Sequence, residues 1–140
     1  MTVPAPTEQT VMTSFGVAIN VVDIERSVDF YVLLGLREIT RFSPHEGVEE
    51  SVLQWPGSAG PNLLLVSSRD RSGAPAIGTG LSCLVVFIEN LSETCDTLTA
   101  AGLEVGGSKV LDNGVTVAFA SDPDNYPIEL IQTSPAVASR

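Results

Sequence analysis

The chain repeats itself, and that repeat limits its fold more than any other feature. Gly16-Val-Ala-Ile-Asn-Val-Val-Asp23 is an apolar, β-branched run ending on an Asx residue, and Cys83-Leu-Val-Val-Phe-Ile-Glu-Asn90 is a second. At the same spacing Asp23-Ile24 aligns with Asn90-Leu91, and Gly35-Leu36 with Gly102-Leu103. Self-similarity at a fixed period marks a structural unit used twice. Between these marks each copy holds a helical stripe: Ile24, Val28, Tyr31 and Leu34, then Leu91, Cys95, Leu98 and Ala101. Such spacing buries one face of a helix. Asp23 and Asn90 are suited to cap the helix starts, with Glu93 completing a capping-box pattern, and Gly35 and Gly102 to end the helices.

Three strand-like stretches follow each Gly-Leu. They are Arg37–Phe42, Glu50–Trp55 and Asn62–Ser67, then Glu104–Val110, Thr116–Ser121 and Pro127–Thr133. Pro56-Gly57, Asn113-Gly114 and Asp122-Pro-Asp-Asn125 supply turns between them. Each half therefore reads β-α-β-β-β. The division is a tail at 1–13, a first module at 14–67, a linker at 68–80, a second module at 81–133 and a tail at 134–140. The fold class is α+β, with two βαβββ modules in one chain. Helices can cover one face of each sheet, so the other must close on its twin or on a partner chain. Mixed sheets curved around a cavity are the expected result.

Composition narrows the function. Seven Lys and Arg against 17 Asp and Glu give a net charge of −10. That field repels phosphate backbones and anionic membranes, so neither nucleic acid nor a membrane is an expected partner. A neutral or cationic small molecule suits it better. Two cysteines, Cys83 and Cys95, do not make a disulfide scaffold. There is no apolar run of spanning length and no secretory pattern at Met1–Thr13, so a cytoplasmic protein is expected.

The doubled unit, with Asp23-Ile-Glu-Arg-Ser27 opening its first helix, resembles the vicinal oxygen chelate superfamily of glyoxalase I, bleomycin-resistance proteins and extradiol dioxygenases. Ser121-Asp-Pro-Asp-Asn-Tyr-Pro-Ile-Glu-Leu130 is similar to that family's closing motif of Asp-Pro-Asp-Gly-Asn, an apolar residue, Glu and Leu. In metal-dependent members His and Glu ligands stand at the start of each copy's first strand and in each copy's last strand. Carried over, those positions are Gly16, Leu64, Cys83 and Glu129. Only Glu129 keeps a family ligand, so no cofactor and no tight divalent metal are expected. Cys83 is either a small buried hydrophobe or a soft-metal thiolate.

A cavity without its metal remains. By strand alternation from position 16, Ala18 and Asn20 face it, as do Cys83, Val85, Phe87, Pro127, Glu129 and Ile131. A mostly apolar lining with Asn20 and Glu129 as polar handles is the composition of a small-molecule site. Glu129 is the candidate catalytic residue, as a general acid or base, or the partner of a ligand cation. Otherwise it only hydrogen-bonds a neighbour. Asn20, Cys83, Phe87, Glu129, Trp55 and His45 are the candidate ligand-binding residues. Trp55 is otherwise core or interface, and His45 a solvated turn residue. The expected protein binds a small organic molecule, such as an antibiotic or secondary metabolite, as a homodimer. The alternative is a metal-independent isomerase, lyase or cyclase working through Glu129; a glyoxalase I-like lyase or a dioxygenase ranks below both.

Overall fold

The computed structural model describes residues 2–3 and 14–132, so most of the first tail and all of the second lie outside the described residues. The repeat is realised twice in the same order. The first module is β1 (Val17–Asn20), α1 (Ile24–Leu33), β2 (Arg37–Phe42), β3 (Val48–Gln54) and β4 (Leu63–Ser68). The second is β5 (Leu84–Phe87), α2 (Leu91–Ala100), β6 (Lys109–Val110), β7 (Thr116–Ser121) and β8 (Pro127–Gln132). Each module makes a four-stranded sheet, ordered β1-β4-β3-β2 and β5-β8-β7-β6. The first and last strands of a module pair in parallel, which the intervening helix allows, and the remaining pairs are antiparallel. The two sheets remain separate and open, so β1 and β5 are both edge strands.

Both helices start where their caps predict. Asp23 accepts a hydrogen bond from the Arg26 amide (3.2 Å), and Asn90 from the Glu93 amide (3.0 Å). Gly35 and Gly102 then take φ of 105° and 85°, the left-handed conformation that a glycine adopts without a Cβ penalty. The α1 stripe is buried throughout. The α2 stripe is shorter: Leu91 and Leu98 are buried, Cys95 is half-buried and Ala101 exposed.

Strand alternation decides which faces are covered. Ile19 pairs with Leu65 and Leu63 with Leu53, and all four are buried on the α1 side. In the second sheet Ala118 pairs with Leu130 and Ala120 with Ile128, again all buried. These residues, the α1 stripe and Leu91 and Leu98 of α2 form one hydrophobic cluster spanning the modules, with Cys95 packed against it. Each fully buried Leu or Ile in it contributes about 1.5–3 kcal/mol.

The stretch expected as a strand over 104–110 is broken. Only Lys109–Val110 is regular, with an isolated bridge from Val105 to Ala120. Gly106-Gly107 interrupts it: the Gly106 amide donates to the Phe119 carbonyl at 2.6 Å, and a Cβ at Gly106 would lie 3.3 Å from that oxygen. A glycine there permits the close approach at the cost of a continuous ladder.

Candidate functional site

A buried polar knot joins the two modules. In the turn before β8, Asp122 Oδ1 accepts from the amides of Asp124 (2.8 Å) and Tyr126 (2.9 Å). Its Oδ2 accepts from the Tyr31 hydroxyl of α1 at 2.7 Å. Asp124 reaches the same module: Oδ1 meets the Arg26 guanidinium at 3.0 Å, and Oδ2 accepts from the Val22 amide at 3.3 Å. The Tyr126 hydroxyl donates to the Asn20 carbonyl at 2.8 Å. Burial pushes the Asp122 carboxyl above the ordinary carboxylate range, while its three hydrogen-bond donors pull it back. Burial also drives the Tyr31 phenol well up, and Asp122 beside it adds to the effect. The sequence shows the turn at 122–125 and Tyr31 in a helical stripe. A pairing across 91 positions leaves no periodic trace, so this knot is not readable from either segment.

Beside the knot lies a cleft of about 490 Å³ along the β5 edge. Tyr31, Leu36 and Leu63 line it from the first module, Leu81, Cys83 and Leu84 from the second. Trp55, just past β3, and Phe87, at the end of β5, also line it, and Asn62 supplies a polar group. Trp55 is held by its backbone, since its amide donates to Asn62 Oδ1 at 2.7 Å. A mostly apolar cleft with few polar groups is the usual form of a small-molecule site.

The structure thus brings together three of the sequence-derived ligand residues, Trp55, Cys83 and Phe87, in one cleft. Asn20, Glu129 and His45 are not among its lining residues. Glu129 is half-buried on the sheet face away from α2, with Val85 and Phe119 as its cross-strand neighbours. Val85 lines the cleft, which places the Glu129 carboxylate one strand from it. Asn20 is exposed at the end of β1 and enters the knot through its carbonyl rather than its side chain. His45 is exposed in the turn before β3, where its carbonyl accepts from the Val48 amide at 3.2 Å.

The residues present do not fit the metal that metal-dependent members of the resembling family hold. Of Gly16, Leu64, Cys83 and Glu129, one carries a carboxylate and one a thiol, short of the three or four protein ligands of a zinc site. A Cβ at position 16 would lie 3.3 Å from the carbonyl oxygens of both Pro61 and Asn62, an approach that needs those carbonyls to give by a few tenths of an ångström. Among the described residues no group of three or more His, Cys, Asp or Glu side chains is placed to hold an ion.

Comparison with known proteins agrees with the architecture. Residues 15–130 match the model of the Glyoxalase/Bleomycin resistance protein/Dioxygenase superfamily. A probable lactoylglutathione lyase of Synechocystis is 29% identical over 120 residues, covering 83% of this chain and 92% of the relative. One from Vibrio parahaemolyticus is also 29% identical, over 122 residues, covering 83% of this chain and 87% of its own length. A crystal structure of a glyoxalase family protein from Bacillus cereus superposes with a TM-score of 0.76 at 18% identity, covering 91% of this chain and 98% of that one. With the repeat, the sheet order and this match in agreement, the chain belongs to the glyoxalase/bleomycin resistance protein/dioxygenase superfamily.

Proposed function

We propose that this chain is a glyoxalase/bleomycin-resistance-like binding protein that holds a small organic molecule, of the antibiotic or secondary-metabolite kind, in its apolar cleft without the family metal. The observation that carries this reading is the set of residues at the four family ligand positions. Gly16 and Leu64 offer no donor, and the backbone packs against Gly16. Relatives named lactoylglutathione lyase share under a third of their residues with this chain, so the donor set outweighs the names. A screen of cationic and aromatic antibiotics by thermal shift tests it. A ligand at 100 times its Kd adds about 2.7 kcal/mol of stability. No shift from any compound class, or stoichiometric Zn, Ni or Fe in the purified protein, counts against it.

A homodimer in the cytoplasm belongs to the same reading. Phe42, Val85 and Phe119 are each close to half exposed on the sheet faces turned away from the helices. A second copy laid over such faces would bury them, and closed symmetric pairs are the commonest assembly. Sedimentation equilibrium showing only monomer at micromolar concentration removes this part.

One observation favours a second reading. The Glu129 carboxylate stands between Val85 and Phe119 with no hydrogen bond or ion pair among the described residues, free to move a proton. In that case the protein is a metal-independent isomerase, lyase or cyclase. A substrate whose turnover survives Glu129→Gln unchanged ends this alternative.

A further inference from the structure

The cleft does not end on apolar walls. Trp55 and Phe87 also line a second, shallower groove of about 730 Å³ between the end of α1 and the start of α2. Glu89 and Glu93 border that groove, both exposed and neither in an ion pair among the described residues. Leu33 and Leu34 bring in the carbonyl end of α1, whose last turn has no basic residue. A helix C-terminus carries partial negative charge and favours a cation. The start of α2 has the opposite polarity, but two of its first-turn amides are already used. The Leu91 amide donates to Gln132 Oε1 at 2.6 Å and the Glu93 amide to Asn90 Oδ1 at 3.0 Å. The Glu89 and Glu93 carboxylates therefore make this rim of the groove negative, and Trp55 and Phe87 lie where it meets the apolar cleft.

We infer that the ligand is an amphipathic organic cation. Its apolar body lies in the cleft against Leu63, Cys83 and Leu84. Its ammonium or guanidinium passes the faces of Trp55 and Phe87 and ends toward Glu89 and Glu93. Aromatic faces attract such a cation through their quadrupole, and carboxylates attract it through charge. This rests on the cleft-binding reading and adds the ligand's charge and orientation to it.

Trp55 is the chain's one tryptophan, so its emission reports the site directly. The experiment titrates the intact protein with 3-phenylpropylammonium and with its neutral counterpart 3-phenylpropan-1-ol, at low and high salt. Both should perturb Trp55, with the ammonium bound about tenfold more tightly at low salt and the gap closing as salt rises. The double variant Glu89→Gln/Glu93→Gln should bring the ammonium to within about twofold of the alcohol and leave the alcohol unchanged. A control, Glu46→Gln/Glu49→Gln, removes the same formal charge outside the groove and should leave the gap in place. Equal binding of the two probes by the unaltered protein, or an equal loss in the control, overturns the cationic assignment while the cleft reading stands. No response of Trp55 to either probe at about 1 mM, where even weak specific binding registers, overturns the cleft reading itself.

Discussion

The Tyr31 hydroxyl of the first module donates to the Asp122 carboxylate of the second at 2.7 Å, and both residues are almost fully buried. This bond crosses the seam between two halves that each form their own sheet. Its loss should be felt by the whole domain. Asp122→Ala leaves the Tyr31 hydroxyl and two turn amides without an acceptor, and should cost about 3 kcal/mol. Asp122→Asn keeps an acceptor for the amides and should cost well under half of that. Urea midpoints of the two variants check the ordering.

The same carboxyl sets a pH dependence. Its pKa is raised in the folded chain, chiefly by burial. As pH rises past the ordinary aspartate value of about 3.9, the unfolded chain releases the proton first and the folded state loses stability. That loss continues until pH passes the raised folded value. The stability of the wild-type protein relative to Asp122→Asn should therefore fall as pH climbs from about 3.5 to neutrality. Denaturant titrations across that range check the sign. A relative stability that grows with pH would mean the fold favours the ionised form.

The Arg26–Asp124 pair should matter more than its distance suggests. Asp124's side chain is 1% exposed, so Arg26→Ala leaves a buried carboxylate whose remaining donor is the Val22 amide. A loss of about 1.5–3 kcal/mol is expected. The pair between Glu46 and Arg69 is open to solvent at both ends, and Arg69→Ala should leave the unfolding midpoint where it was. Parallel denaturation of the two variants makes the contrast.

Metal removal should do nothing. A tightly bound ion stabilises the folded state through linkage, so stripping it lowers the unfolding temperature. Dialysis against EDTA should leave the unfolding temperature unchanged, as read by calorimetry before and after. A drop reversed by one divalent ion would show that a site exists beyond the four positions considered.

Much of this was legible in the sequence because it is local. The repeat, the Asp23 and Asn90 caps and the glycines at 35 and 102 are short-range features, and the structure keeps each in place. The strand expected at 104–110 failed because the Gly106-Gly107 pair outweighs the flanking β-branched residues. The site was legible only in part. Trp55, Cys83 and Phe87 meet in one cleft, but alternation along a strand tells which face a residue takes, not what covers that face. Glu129 and Asn20 accordingly share a strand pattern with cleft residues yet lie outside the lining of the cleft. The knot of Tyr31, Asp122, Asp124 and Tyr126 had no local sign, because each member reads separately as turn or helix stripe.

Gly16 lies tight beneath the carbonyls of Pro61 and Asn62. A side chain placed there would need those carbonyls to give by a few tenths of an ångström. Gly16 and Leu64 both lack a donor side chain, so no single substitution completes the four-ligand set of the metal-dependent relatives.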